Sequence, residues 1–501
     1  MPLWARKDIP SPASASSPGP GGTPSLRRTL GFVDLCMIGI GCTIGAGIFV
    51  LTGTAAASFA GPAIVFSFLI AASACLCAAL CYAELASVIP VAGSAYTYAY
   101  TTLGELVAWV IGWSLALEYL MCASTIAVGW SGYFTSFLNE CGVRLPAALT
   151  QPPLIHSGGE WSLAGGFINL PAVAMVMALT WVLSLGIRES TFFNNLMVAV
   201  KLAVILLVIG FGAAYIDTTY WHPFVPPNTG VSGEFGWSGV MRAAGIVFFA
   251  YIGFDAVSTS AQEARNPRRD VPLALIATLI ICTILYIAMS LVMTGMAPYT
   301  TLNVPDPVFV AVDHAGPGLA WLKPIVSIGA IVGLASATLA TLYGQTRIFY
   351  SMSVDGLIPP AFSKLHRRHA TPTQGTWYTG LVAAAIAGCV PINVLGELVS
   401  IGTLFAFAVV CVGVLILRRR EPDLPRAFRT PFVTVVAVSG ALSCAYLMYS
   451  LPGDTWVRLA VWLAIGMAVY IGYGHRHSKL RGNAQALPME LSHSSGTATK
   501  G

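Results

Sequence analysis

The sequence predicts an all-α polytopic membrane protein with twelve membrane-spanning helices, and three observations carry that prediction. First, 56% of its 501 residues are hydrophobic and 9% are charged, where an ordinary soluble domain is about 25% charged. Second, the apolar residues arrive along the whole chain in stretches of about 20 or more, the length that crosses about 30 Å of hydrocarbon. Third, lysine and arginine concentrate on one side of the membrane. With the N-terminus in the cytoplasm, all 26 basic residues except Arg144, Lys201, Arg242, Lys323 and Arg458 lie on the cytoplasmic side, the asymmetry that orients membrane proteins. A miscounted span would scramble it, so the pattern supports twelve spans with both ends inside. The net charge of +5 then reflects topology and not a nucleic-acid partner.

Residues 1–29 carry SPASASSPGPGGTPS and lack the apolar run of a signal peptide, which reads as a disordered cytoplasmic tail. Five spans follow at 30–53, 62–89, 104–134, 168–186 and 193–216, then five more at 237–262, 270–297, 318–351, 376–395 and 397–418. Residues 30–216 and 237–418 are therefore two halves of equal span number. A peripheral pair, 432–451 and 455–474, completes the membrane part, and 475–501 reads as a second cytoplasmic tail. Of the 11 cysteines all but Cys141 fall within spans, so they read as packing residues and not as a disulfide framework.

The first span contains IGIGCTIGAGIFV, with Gly39, Gly41, Gly45 and Gly47 in nine positions. Each glycine weakens a helix by roughly 1 kcal/mol against alanine, so the helix is expected to open between Thr43 and Gly47. The sixth span holds a second such stretch, GIVFFAYIGFDAV at 245–257. A broken helix in lipid is costly because its free N–H and C=O groups find no water, and it survives where the backbone lines a cavity. There a half-helix N-terminus attracts a carboxylate and exposed carbonyls attract an ammonium. A zwitterionic amino acid offers both. Breaks placed five spans apart are the pattern of an inverted repeat with a site at the membrane midplane. The alternative, a small-residue packing stripe, finds GxxxG spacing at Gly41 and Gly45.

Ionisable groups within spans are functional candidates by default. Lys201, in NNLMVAVKLAVILLVIG, lies about nine residues into the fifth span, roughly 13 Å deep at 1.5 Å per residue. It is expected to serve proton exchange, against the alternative of a snorkelling or structurally paired lysine. Glu118, in GWSLALEYLMCAST, reads either as a charge facing a transport path or as a carboxyl bonded to a neighbouring helix. Glu84 and Asp255 sit nearer span ends or breaks, where local helix capping weighs at least as much as a functional role. Arg242 opens the sixth span on its outer side and reads as an interfacial anchor.

All 8 histidines fall in loops or tails. His366 and His369 have a spacing that could suit a metal, but SKLHRRHA is basic and repels a cation, so a solvated loop is expected and no metal or cofactor. With no intramembrane histidine and no nucleophile–base pairing, a polytopic membrane enzyme is only a distant alternative.

Several long motifs in order resemble the amino acid–polyamine–organocation superfamily, and within it bacterial cationic amino acid transporter-like permeases. They are IGAGIFVLTG, YAELASVIPVAGSAYTY, GWSLALEY, NNLMVAVKLAV, FFAYIGFDAVSTSAQEARNPRRDVP, YGQTRIFYSMSVDGLIP and LVSIGTLFAF, within residues 27–474. The resemblance implies a LeuT-like core of 5+5 inverted repeats with discontinuous helices 1 and 6, and a site between spans 1, 3, 6, 8 and 10. It implies that a substrate carboxylate meets backbone amides at Thr43, Ile44, Gly45, Ala46 and Gly47, and that the ammonium meets carbonyls of Phe249, Ala250 and Ile252. It implies that Lys201 takes the place of a sodium ion and that Glu118 lies near the side-chain pocket. The function expected is a secondary active transporter that imports L-amino acids across the plasma membrane by alternating access, coupled to protons. An amino acid exchanger or an amino acid/polyamine antiporter is the near alternative. Cationic and small neutral amino acids both remain open as substrates.

Overall fold

Helices supply nearly all the regular structure of the computed structural model, which describes residues 6–7, 29–89, 94–157, 160–163, 165–185, 187–231, 233–304, 306–366, 371–451 and 453–480. The first half holds α1 (Phe32–Thr43), α2 (Thr52–Ala55), α3 (Ile64–Val88), α4 (Ser94–Thr102), α5 (Glu105–Glu140), α6 (Leu170–Leu185) and α7 (Ile187–Gly212). The second holds α8 (Gly236–Val247), α9 (Ala256–Thr259), α10 (Pro267–Met296), α11 (Pro307–His314), α12 (Leu322–Val354), α13 (Thr373–Cys389) and α14 (Ile392–Arg420). Two further helices, α15 (Val433–Tyr449) and α16 (Gly453–Val469), follow. A small antiparallel hairpin, β1 (Leu154–Ser157) on β2 (Glu160–Leu163), decorates the loop before α6.

Among the described residues, eight helical stretches are long and apolar enough to cross a membrane, and Leu170–Leu185 and Val433–Tyr449 are shorter apolar helices. The chain is thus a helical, multi-pass membrane protein. Its outer surface is greasy, with Leu206, Ile284, Leu442 and Val461 all more than half exposed, as a lipid-facing wall requires. Polar side chains turn inward and bond to backbone. Ser124 on α5 donates to Ala383 O on α13 at 3.0 Å, and Ser67 on α3 to Val240 O on α8 at 2.8 Å. Such bonds tie helices where the hydrophobic effect cannot.

One element was not foreseen. The stretch between the second and third spans folds into α4, whose nine residues SAYTYAYTT are all buried. It is too short to span, and several of its hydroxyls find internal partners, such as Tyr96 to Asp355 at 2.8 Å, while that of Tyr98 is buried without one.

Glu84 corrects an expectation: it caps nothing locally. Its carboxylate receives Arg418 through Nε at 2.8 Å and Nη2 at 2.7 Å, the Thr430 amide at 2.8 Å, and lies 3.2 Å from Arg426. It thereby ties α3 to α14 and to the segment before α15. At the start of the stretch read as a C-terminal tail, Ser478 donates to buried Glu105 at 2.5 Å and the Lys479 amide to Asp355 O at 3.2 Å. Residues 481–501, most of 1–29, and His369 lie outside the described residues. All eleven cysteines are free.

Candidate substrate site between two broken helices

Helix α1 stops at Thr43, and Ile44 adopts an extended conformation, φ −78° and ψ 95°. The chain resumes at Gly47–Leu51 as a wide helical turn leading into α2. Among the described residues, the first amide beyond Ile44 to meet a backbone carbonyl is that of Phe49, on Gly45 O at 3.4 Å. The N–H groups of Gly45, Ala46 and Gly47 are therefore left open at the start of a half-helix. The Thr43 hydroxyl beside them is buried without a partner. The expected opening between Thr43 and Gly47 is where the helix breaks.

The second break follows the same logic. Helix α8 ends at Val247, one tight turn covers Phe248–Tyr251, and Ile252 is extended at φ −65° and ψ 135°. Gly253 then takes φ +108°, a backbone region that an L side chain resists. The two breaks abut: a Cβ on Gly47 would strike the backbone of Ala250, and one on Gly253 would stand 2.7 Å from the Cys42 sulfur. Of the carbonyls expected to face an ammonium, Phe249 O accepts the Ile252 amide at 3.1 Å. Ala250 O accepts the Tyr286 hydroxyl at 2.6 Å, and the same hydroxyl lies 2.9 Å from Thr43 O. A carbonyl has two lone pairs, so Ala250 O retains one. Tyr286, on α10, was not foreseen, since a tyrosine in the apolar run ILYIAMS carries no distinguishing signal.

Lys201 on α7 is fully buried, and its ammonium donates to Gly41 O at 2.7 Å and Ile44 O at 2.6 Å. These are carbonyls that the interrupted α1 leaves without helical partners, at the negative end of its dipole. Gly333 on α12 packs against the lysine stem, where a Cβ would stand 3.0 Å away. This lysine does not snorkel.

Glu118, midway along α5, is 1% exposed, and neither carboxylate oxygen has a hydrogen-bond partner. It lies within electrostatic reach of Asp255. Asp255 is fully buried, and its side chain caps no helix, contrary to expectation. Its Oδ2 accepts Ser94 Oγ at 3.2 Å and Tyr119 OH at 3.1 Å, and Oδ1 is unpartnered. Ser94 holds the strained φ of +50°, a cost that clusters at functional sites. Cys42, at the end of α1, is within electrostatic reach of Lys201, Asp255 and Glu118. All three ionisable side chains thus gather near one helix end.

Two structures flank this centre. On one side is a cavity of about 600 Å³ lined by Val50, Thr54, Gly129, Asn169 and Asp306, among others. Its floor at Val50 is one helical turn from Ala46. The second is a buried polar cluster on α12 and the turn after α9. Arg347 and Glu263, both buried, pair at 2.9 Å, and the Tyr343 hydroxyl donates to Glu263 at 2.7 Å. The amides of Thr29 and Leu30 bond to Glu263 O at 2.9 and 3.0 Å. Lys7 meets Asp355 at 2.6 Å.

Comparisons with known proteins identify the family. Residues 30–471 match the family model described as amino acid permease. The chain is 48% identical to the methylthioribose transporter of Bacillus subtilis, over 91% of this chain and 95% of the relative. It is 47% identical to the branched-chain amino acid permease BcaP of the same organism, over 95% and 99%. It is 38% identical to the vacuolar cationic amino acid transporter 4 of Arabidopsis thaliana, over 84% and 68%. These relatives are transporters and not enzymes. The chain belongs to the amino acid permease family, within the amino acid–polyamine–organocation superfamily.

Proposed function

We propose that this permease is a proton-coupled symporter that imports L-amino acids across the plasma membrane by alternating access. The observation that supports the reading is the close approach of Gly47 to Ala250, which brings the break with open amides against the second break. In this reading the open amides of Gly45, Ala46 and Gly47 hold the substrate carboxylate, and Phe249, Ala250 and Ile252 offer carbonyls to its ammonium. Contrary to expectation, the Ile44 amide is spent on Ile40 O at 2.9 Å and the Thr43 amide lies inside α1. The helices form twelve spans: residues 30–216 and 237–418 are inverted repeats of a LeuT-like core, and 432–474 is peripheral. Both termini lie in the cytoplasm. The cavity at Asp306 then opens outward and the Arg347–Glu263 pair closes the inner side.

Lys201 is the coupling element. Charged, it bonds to Gly41 O and Ile44 O and holds the first break; neutral, it loses the charge assistance and holds them more weakly. Glu118, with Asp255, borders the side-chain pocket. Their unpartnered oxygens suit a substrate that brings N–H or O–H donors. Purified protein in liposomes, given labelled alanine, leucine, arginine, lysine and putrescine with and without an inward proton gradient, tests this. Uptake accelerated by the gradient supports symport. Equal uptake in both, with stimulation by internal amino acid, would replace it with exchange.

A further inference from the structure

The rim of the molecule where α8 begins carries a chemistry that the two breaks do not use. There α8 and the C-terminal end of α15 enclose a groove of about 550 Å³, lined by Gly233, Trp237, Ser238, Arg242, Tyr446 and Tyr449, among others. Arg242 is the one charged residue in that lining, and among the described residues it forms no ion pair. Its stem packs on Gly233, where a Cβ would stand 2.8 Å from Arg242 Cδ, and its guanidinium lies 4.6 Å from the centre of the Phe59 ring. These contacts hold the side chain in place, while its five N–H donors are spent on no carboxylate. Glu234, the nearest acid along the chain, accepts the Thr229 hydroxyl instead, at 3.0 Å. Trp237, Tyr446 and Tyr449 are each more than half exposed, the tryptophan–tyrosine composition of a membrane–water interface.

The groove does not end at its rim. On α15, Val435, Val438, Leu442, Tyr446 and Tyr449 follow one another at spacings of three and four, so all five share one helix face. All five are exposed, and the stripe is about 21 Å long at 1.5 Å per residue. A held cation with open donors at one end of an apolar stripe is the outline of a phospholipid.

We infer that this groove is a phospholipid site, in which Arg242 holds the headgroup phosphate and one acyl chain lies along α15. The phenolic hydroxyls of Tyr446 and Tyr449 are further donors for the same phosphate. With no carboxylate in the lining, the site favours an anionic headgroup over a zwitterionic one, whose ammonium finds no counter-charge there. The far end of α8 runs into the second break, so the bound lipid braces that half-helix against α15. The inference rests on the membrane-spanning fold and not on which substrate is carried.

Native mass spectrometry and thermal unfolding of the purified full chain in detergent test it, with phosphatidylglycerol, phosphatidylcholine or glycerol phosphate added. Phosphatidylglycerol should be retained in preference to phosphatidylcholine and should raise Tm. Arg242→Gln should weaken phosphatidylglycerol retention roughly tenfold, the loss of one charge-assisted contact, and should remove most of the rise in Tm. Arg242→Lys, which keeps a point charge for the phosphate, should recover part of both. Should Arg242→Gln fail to fold, Tyr446→Phe with Tyr449→Phe, which removes only exposed hydroxyls, should weaken retention in the same direction. Retention equal to wild type in whichever of these variants folds overturns the site. A preference for phosphatidylcholine overturns the anionic headgroup, and a rise in Tm as large with glycerol phosphate, which has no acyl chain, overturns the lipid in favour of a free anion.

Discussion

The ammonium of Lys201 lies 2.6 Å from the carbonyl oxygen of Ile44, the residue at which the first helix comes apart. One side chain on α7 thus completes the hydrogen bonding that α1 gives up. If it also carries the coupled proton, Lys201→Ala and Lys201→Arg should both abolish uptake driven by a pH gradient. Arginine keeps the charge but stays protonated throughout the working range. Gradient-driven uptake at the wild-type rate in both variants would reduce Lys201 to a structural brace.

Tyr286→Phe removes the hydroxyl shared by Thr43 and Ala250. Two buried carbonyls lose the one donor they share, at about 1–3 kcal/mol. The variant should melt several degrees lower in detergent, and substrate affinity should fall about three- to tenfold because the breaks are less well held. Fluorescence-detected thermal unfolding and uptake KM measure the two effects; wild-type values for both would show that the contact is incidental.

At Gly253, alanine would place a Cβ against Cys42 on a backbone at φ +108°. The left-handed strain alone is about 1–2 kcal/mol, and the contact adds to it. Gly253→Ala and Gly47→Ala should each push the breaks apart and cut transport at least tenfold while the detergent-solubilised protein stays monodisperse. Transport above half of wild type would mean that the two breaks need not touch.

The pair Arg347–Glu263 is buried on both sides, and removing one member of such a pair costs about 3–5 kcal/mol. Glu263→Gln should destabilise the closed inner side, so that a cysteine introduced near Leu30 reacts faster with a membrane-impermeant reagent added from the cytoplasmic side. The exchanged pair, Glu263→Arg with Arg347→Glu, should slow that reaction again. A reaction rate equal to wild type in Glu263→Gln would remove this pair from the closure.

Hydropathy and positive charge made the helical membrane class readable, and glycine clustering located both breaks to within a residue or two. The burial of Lys201 was readable because it lies too deep in an apolar run to reach water, whereas its two carbonyl partners on α1 were not. Asp255 was misread because sequence exposes only near neighbours: its partners Tyr119 and Ser94 are 136 and 161 residues away. Glu84 was misread for the same reason, with Arg418 at a separation of 334 residues. Helix α4 was missed because its alternating tyrosines and threonines show neither a spanning length nor an amphipathic stripe. Each miss concerns a polar group whose partner is set by tertiary packing, which periodicity does not record.

A tyrosine hydroxyl has a single proton, yet two carbonyls stand within reach of Tyr286. At any instant one break is served and the other waits, and the balance falls to whatever else touches either oxygen. An amine arriving at Ala250 would compete for that oxygen and hand the proton toward Thr43. Occupancy of one half of the molecule is then legible in the other through the swing of one O–H bond, before any helix has moved.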